Sequence, residues 1–294
     1  MNYITAKTII SAYMKENTWF GNNYNMNIYK GCSHGCIYCD SRSECYQVEN
    51  FDEVRAKENS INIIKKELKS KRRKGVIGTG SMSDPYNPCE KNFQLTRSAL
   101  KLIDEYEFGV SIATKSDLIF RDIDILKKIK KHSPVLVKIT ITTSNDELCK
   151  KIEPNVSLTS KRFEVLNELS KNDIFCGVLL MPVLPFIEDS EENIFNIIKM
   201  AHENGVKFIY PSFGVTLRQN QRLWFFNKLD QIFPRLKNKY IRQFGNSYEC
   251  YSPNAEKLWN LFQFECKKYG ILYKMKEIIE AYKKGYENEQ LSLF

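Results

Sequence analysis

Gly31-Cys32-Ser33-His34-Gly35-Cys36-Ile37-Tyr38-Cys39 places three thiols in nine residues, separated by three and then two positions. A loop this tight can wrap all three thiolates around one inorganic centre. A closed structural site takes four ligands, whereas three cysteines on an iron-sulfur cubane leave one iron open to a substrate or cofactor. Zinc competes on spacing alone, because Cys45 offers a fourth thiolate and His34 an imidazole. His34 reads better as a loop-shaping group than as a ligand. The chain holds nine cysteines, an odd number, and begins MNYITAKTII without a basic segment running into an apolar one. Both features argue against a disulfide framework and for metal or redox chemistry in a soluble, cytoplasmic protein.

Outward from this stretch, from Asn25 to about Gly214, short β-branched or apolar runs alternate with segments of helical period. That alternation predicts repeated strand-helix units and a parallel sheet. Strands are expected near Met26 to Lys30, Val76 to Gly80, Val110 to Thr114, Val135 to Thr142, Phe175 to Met181 and Phe208 to Ser212. Between them Ile61, Ile64 and Leu68 share one helical face, as do Leu95, Ala99, Leu102 and Ile103. Right-handed crossovers would curl these units into a partial or full barrel, an α/β fold whose functional groups project beyond the strands' C-terminal ends. The cysteines follow the first strand, where that rule wants them. After Gly214 the strands are expected to stop. The chain turns helical and aromatic, with a segment capped by Ser252, Pro253 in its first turn, and a close at Gly270. The expected organisation is a barrel over 1–214, a helical extension packed on it over 215–284, and a tail over 285–294.

With 43% hydrophobic residues in 294, the chain can bury a sizeable core. The longest apolar run, Gly177 to Ile187, is broken by Pro182 and Pro185, so no membrane span is expected. A formal charge of +9 favours a polyanionic partner and says nothing about fold.

Cys-x3-Cys-x2-Cys with Tyr38 before the last cysteine, directly after a strand, resembles the radical SAM superfamily signature. Gly78 to Glu90 (GTGSMSDPYNPCE), Ala113-Thr-Lys-Ser-Asp117, Thr142-Thr-Ser-Asn-Asp146 and Glu153-Pro154 ahead of Arg162 are similar to its spore photoproduct lyase-like branch, also called DNA repair photolyase-like. The resemblance implies a partial (β/α)6 barrel with a 4Fe-4S cluster on Cys32, Cys36 and Cys39. It implies S-adenosyl-L-methionine bound to the open iron and cleaved reductively to a 5'-deoxyadenosyl radical. An external one-electron reductant such as flavodoxin or ferredoxin would supply the electron. Matching positions put the carboxylate end of S-adenosylmethionine at Lys115 and Thr143, and its adenine at the backbone near Tyr38. One departure is important: Ser81 stands where spore photoproduct lyase carries its hydrogen-donor cysteine. A serine O–H bond is too strong for that task. Cys89 and Cys250 are the candidate substitutes, set against the plainer reading that each is a small buried hydrophobe.

Gln290-Leu291-Ser292-Leu293-Phe294 looks like the motif by which bacterial replication and repair proteins dock on the sliding clamp. Lys65 to Lys74 and Lys127 to Lys131 could neutralise phosphates, although each also ends a predicted helix, where cations are favoured. Trp224, Phe225, Phe226, Tyr240 and Tyr248 could stack on a base or fill a helical core. Together these favour a radical SAM enzyme acting on DNA. The alternatives are a radical SAM enzyme with a peptide or small-molecule substrate, and a non-catalytic zinc-bearing nucleic-acid-binding module. Whether Cys45, Cys250 and Cys266 support a second cluster is left open.

Overall fold

The computed structural model describes residues 2–13 and 19–286. Six strands, Tyr24–Met26 (β1), Val76–Thr79 (β2), Gly109–Thr114 (β3), Val135–Thr140 (β4), Phe175–Leu180 (β5) and Phe208–Pro211 (β6), pair in parallel in chain order. Ile10–Ala12 adds an antiparallel edge to β1. Every residue of β2 and β4 is buried, as expected of parallel strands covered on both faces. This is the partial barrel of the sequence expectation.

The crossover helices are Ser60–Ser70 (α1), Leu95–Glu105 (α2), Ile123–Ile129 (α3), Thr159–Lys171 (α4) and Glu191–Glu203 (α5). The predicted faces hold: Ile64 and Leu68 of α1 and Ala99, Leu102 and Ile103 of α2 lie in the main core. Each such side chain contributes about 1.5–3 kcal/mol by leaving water. The start of α5 is set by Ser190, whose hydroxyl accepts from Asn193 N at 3.1 Å, with Glu191 and Glu192 in the first turn.

Three expectations need correction. The first predicted strand is two: the chain leaves β1 at Asn27, and Tyr29–Lys30 joins a separate three-stranded sheet with Arg55–Lys57 and Asn2–Ile4. Strands do not stop at Gly214, because Gly214–Thr216 pairs antiparallel with Glu249–Tyr251. Between these two strands lie Gln221–Ile232 (α6) and Leu236–Phe244 (α7), and beyond them Ala255–Tyr269 (α8) and Met275–Lys283 (α9). Finally, α8 starts at Ala255, after Asn254. Ser252 lies upstream, donating its hydroxyl to Asp189 Oδ2 at 2.6 Å, while Gly270 closes the helix at φ +68°.

The last helices pack into the barrel. Leu258, Phe262 and Cys266 of α8 join the main core. Beneath the cavity, Phe20 packs with Ile278 and Tyr282 of α9 against Leu136 and Phe208 near the starts of their strands and Leu179 near the end of β5. The Tyr282 hydroxyl donates to Phe20 O at 2.7 Å. Above this floor Lys138 is buried, its Nζ donating to Ser111 Oγ at 2.5 Å and standing 4.7 Å from the Phe20 ring centroid. No helix among the described residues is long and apolar enough to cross a membrane.

Candidate functional site

A cavity of about 530 Å³ opens at the C-terminal ends of the barrel strands. Cys32, Cys36 and Cys39 all line it, with His34 and Tyr38 from the same loop, Gly80 to Asp84 after β2, Lys115 after β3, and Thr140 at the end of β4. The loop turns where glycine permits. Gly31 has φ +80°, and a Cβ there would come within 2.6 Å of Phe51 O; Gly35, at φ +72°, packs against Pro154.

A buried polar network pins the loop down. The Tyr38 hydroxyl donates to Glu153, whose other oxygen accepts from Arg162 Nη2 at 2.5 Å. Arg162, 1% exposed, also donates to Ser157 O and Thr140 O at 2.7 Å each, so its guanidinium is satisfied. Burial works to raise the Glu153 carboxyl, but Arg162 and Lys115 hold it below its ordinary value. Backbone bonds complete this side of the grip: Ile37 N to Ile152 O at 3.0 Å and Asn155 N to His34 O at 3.1 Å. Glu153 and Arg162 were visible in the sequence only as motif positions. Their shared task, anchoring Tyr38 from more than a hundred residues away, had no local signal.

From the opposite side α6 holds the same loop. Gln221 Nε2 donates to Tyr38 O at 3.0 Å and Trp224 Nε1 to Cys36 O at 3.3 Å. Arg42 lies 3.7 Å above the Trp224 ring. Asn220, just before α6, sits at φ +65°, ψ −46°, a conformation that costs a non-glycine residue about 1–3 kcal/mol and tends to occur at functional sites.

Asp84 joins three loops: Oδ1 accepts from Thr114 Oγ1 at 2.6 Å, Oδ2 accepts from Lys115 N at 2.8 Å, and Oδ2 stands 3.5 Å from His34 Nδ1. Burial lowers the His34 pKa, which favours the neutral ring. The loop-shaping reading of His34 thus agrees with its surroundings. The Lys115 ammonium lies 5.7 Å from the Tyr38 ring centroid. Burial pulls its pKa down, but Cys36, Glu153 and Asp84 together keep it above the ordinary lysine value. Burial also raises the thiols, Cys32 to about 12, with Cys36 and Cys39 shifted in the same direction for the same reason. A bound metal would have to displace those protons.

Other predicted residues fall elsewhere. Thr143 is buried beside the cavity, its hydroxyl accepting from Asn145 N at 3.2 Å, and it does not line the space. Cys89 packs against the main core, and Cys250 is 1% exposed within a second apolar cluster; neither lines the cavity. Ser81 does line it, donating to Asn25 Oδ1 at 3.0 Å. Phe225 and Tyr240 are fully buried core residues, whereas Tyr248 is exposed. The basic runs at 65–74 and 127–131 lead into the N-terminal ends of β2 and β4, on the barrel end away from the cavity. Gln290 to Phe294 lies outside the described residues.

The donor set discriminates between metals. The Cys45 thiol is occupied by Arg218 Nη1 at 3.0 Å and Ser43 Oγ at 2.9 Å, and it does not line the cavity. Among the described residues no three His, Cys, Asp or Glu side chains converge tightly enough for a metal ion. A lone tetrahedral zinc with Zn–S bonds of about 2.3 Å needs its thiolates nearly touching, whereas a multi-iron cluster spans more widely set ones. Three thiols on one cavity wall, with no fourth beside them, fit the cluster.

Residues 26–198 match the sequence profile of the radical SAM superfamily. The chain belongs to that superfamily. Radical SAM enzymes use a 4Fe-4S cluster and S-adenosylmethionine, with an external reductant. The fold is that of spore photoproduct lyase: the structure of that enzyme complexed with dinucleoside spore photoproduct aligns at TM-score 0.63, 14% identity, covering 89% of this chain and 78% of the lyase. A radical S-adenosylmethionine methyltransferase from Kitasatospora setae aligns at TM-score 0.55 and 11% identity, covering 81% and 51%. Among curated relatives, an uncharacterised protein of Methanocaldococcus jannaschii is 39% identical over 174 residues, 58% of this chain and 64% of its own length. An uncharacterised protein of Mycobacterium bovis is 27% identical over 224 residues, 74% and 66%. The chain therefore spans about two thirds of the length of the relatives it matches.

Proposed function

We propose that this radical SAM protein abstracts hydrogen from a nucleic acid, with Cys32, Cys36 and Cys39 holding the cluster. The observation that carries the reading is the convergence of these three thiols and Lys115 on one cavity at the C-terminal ends of the strands. When bound, the cluster and S-adenosylmethionine supply a 5'-deoxyadenosyl radical from one delivered electron. The protein's residues do the rest. Lys115 offers a positive charge to a carboxylate, and Asp84 fixes the backbone on which Lys115 stands. Glu153 and Arg162 hold Tyr38 in place. Met82, Met181 and Val215 line the wall with apolar surface that keeps water out.

The nucleic-acid part rests on the excess of positive charge on the elements that brace the cysteine loop. Helix α6, which opens at the cavity with Gln221, and α7 after it carry Arg222, Lys228, Lys237, Lys239 and Arg242, with Arg235 between them, against Asp230. Spore photoproduct lyase has been captured with a dinucleoside lesion. Ser81 and the core placement of Cys89 and Cys250 argue for a reaction other than photoproduct reversal.

Anaerobic reconstitution with iron and sulfide, reduction, and chromatography for 5'-deoxyadenosine test the chemistry. The native chain should form it and Cys36→Ala should not; equal yields from both would overturn the cluster assignment. DNA binding should weaken with salt at a slope of about −0.9 per phosphate neutralised. Absence of any binding at low salt would remove the substrate class and leave the radical chemistry standing.

A further inference from the structure

We propose that Gln221, from α6, reads the adenine edge of S-adenosylmethionine and so gives this site its base specificity. The inference rests on the reading above that adenine lies at the backbone near Tyr38. Gln221 is 1% exposed yet lines the cavity. An amide side chain has two N–H donors and an oxygen with two lone pairs. One donor goes to Tyr38 O at 3.0 Å, and the oxygen accepts from Arg218 N at 2.9 Å. One N–H and one lone pair remain.

That remaining pair matches adenine, whose edge sets an amine donor beside a ring-nitrogen acceptor; glutamine is a standard bidentate partner for it. On the edge that carries N7, hypoxanthine sets a carbonyl oxygen in place of the amine, so the same amide meets two acceptors there and loses a contact. Three features hold Gln221 in place for the task. Its own oxygen is tied to the turn at Arg218. The residue before it, Asn220, is held at positive φ. One turn on, Trp224 fastens α6 to Cys36 O, so the helix and the cysteine loop form one wall.

The test is binding to the reconstituted, cluster-loaded protein under anaerobic conditions, with methionine, 5'-deoxyadenosine and 5'-deoxyinosine as separate probes. Wild type should prefer deoxyadenosine to deoxyinosine. Gln221→Leu should bind deoxyadenosine about tenfold more weakly, lose the preference, and bind methionine as wild type does. Gln221→Glu keeps the volume and the acceptor for Arg218 N while removing the amide donors, and should lose the same preference if the leucine variant fails to fold. Trp224→Phe loses the bond to Cys36 and part of the ring face under Arg42 while leaving Gln221 intact, and should retain the preference, which separates base reading from slackening of the loop. An unchanged preference in both Gln221 variants, with methionine binding still abolished by Lys115→Ala, overturns the role of Gln221 alone. Methionine binding that is indifferent to Lys115→Ala instead overturns the underlying placement of S-adenosylmethionine.

Discussion

Replacing Lys138 with methionine should stabilise the protein at neutral pH and lose that advantage in alkali. Lys138 sits above the barrel floor, 1% exposed, with one hydroxyl and one aromatic face for company. Burial drops its pKa from 10.5 to about 7. At about 1.4 kcal/mol per pH unit, holding the side chain in the fold at neutral pH costs roughly 5 kcal/mol. Methionine removes that cost but strands the Ser111 hydroxyl, a loss of about 1–3 kcal/mol. The expected net gain at pH 7 is therefore about 2–4 kcal/mol. Between pH 7 and 10.5 the unfolded chain binds a proton here that the folded chain does not, so wild-type stability rises with pH in that window. Urea denaturation of both proteins at pH 7 and pH 10, anaerobically and with reduced thiols, measures the difference. A gap that stays constant from pH 7 to 10, or a variant less stable at pH 7, would refute the account of Lys138 as a desolvated amine.

Glu188 should behave in the opposite sense: burial pushes its carboxyl up to about 8 from 4.5, so stability falls as pH rises between those values. Glu188→Gln should flatten that stretch of the pH–stability curve and be the more stable protein at pH 7 by roughly 3 kcal/mol; a curve parallel to wild type would show the carboxyl to be unshifted. Arg162→Met leaves the Glu153 carboxylate buried without its partner and should cost about 3–5 kcal/mol in the same assay, with Arg162→Met/Glu153→Gln less damaging than the single change. A double variant as unstable as the single one would contradict the ion-pair account.

How far the fold could be read from the sequence depended on burial. β2 and β4 are buried throughout because parallel strands are covered on both faces, and apart from Lys138 and the closing threonines they carry no polar side chain, so Val76–Thr79 and Val135–Thr140 announce themselves. Tyr24–Met26 and Tyr29–Lys30 are too short to show a period, and two residues between them are enough to send the chain into another sheet. The pairing of Gly214–Thr216 with Glu249–Tyr251 spans two helices and has no turn signal linking its halves. At the site, the thiols and Lys115 were legible because their chemistry is local to a motif. Thr143 shares its segment with Thr140 and Thr142, and of the three only Thr140 lines the cavity, a choice the segment's composition does not distinguish. Gln221 looked like any helix-opening glutamine until the fold set it against Tyr38.

The contact between Tyr282 and Phe20 has a consequence for the order in which the molecule can be completed. A ribosome adding about 5–20 residues per second makes Phe20 roughly ten to fifty seconds before its partner, which lies 262 positions later. Throughout that interval the floor's apolar side chains lack their lid. Gln221 and Trp224 also emerge late, so a nascent cysteine loop has the grip of Asp84, Ile152, Glu153 and Asn155 but lacks its α6 side. Iron-sulfur assembly during synthesis would meet a half-supported loop, and loading after release of the chain would meet a finished one.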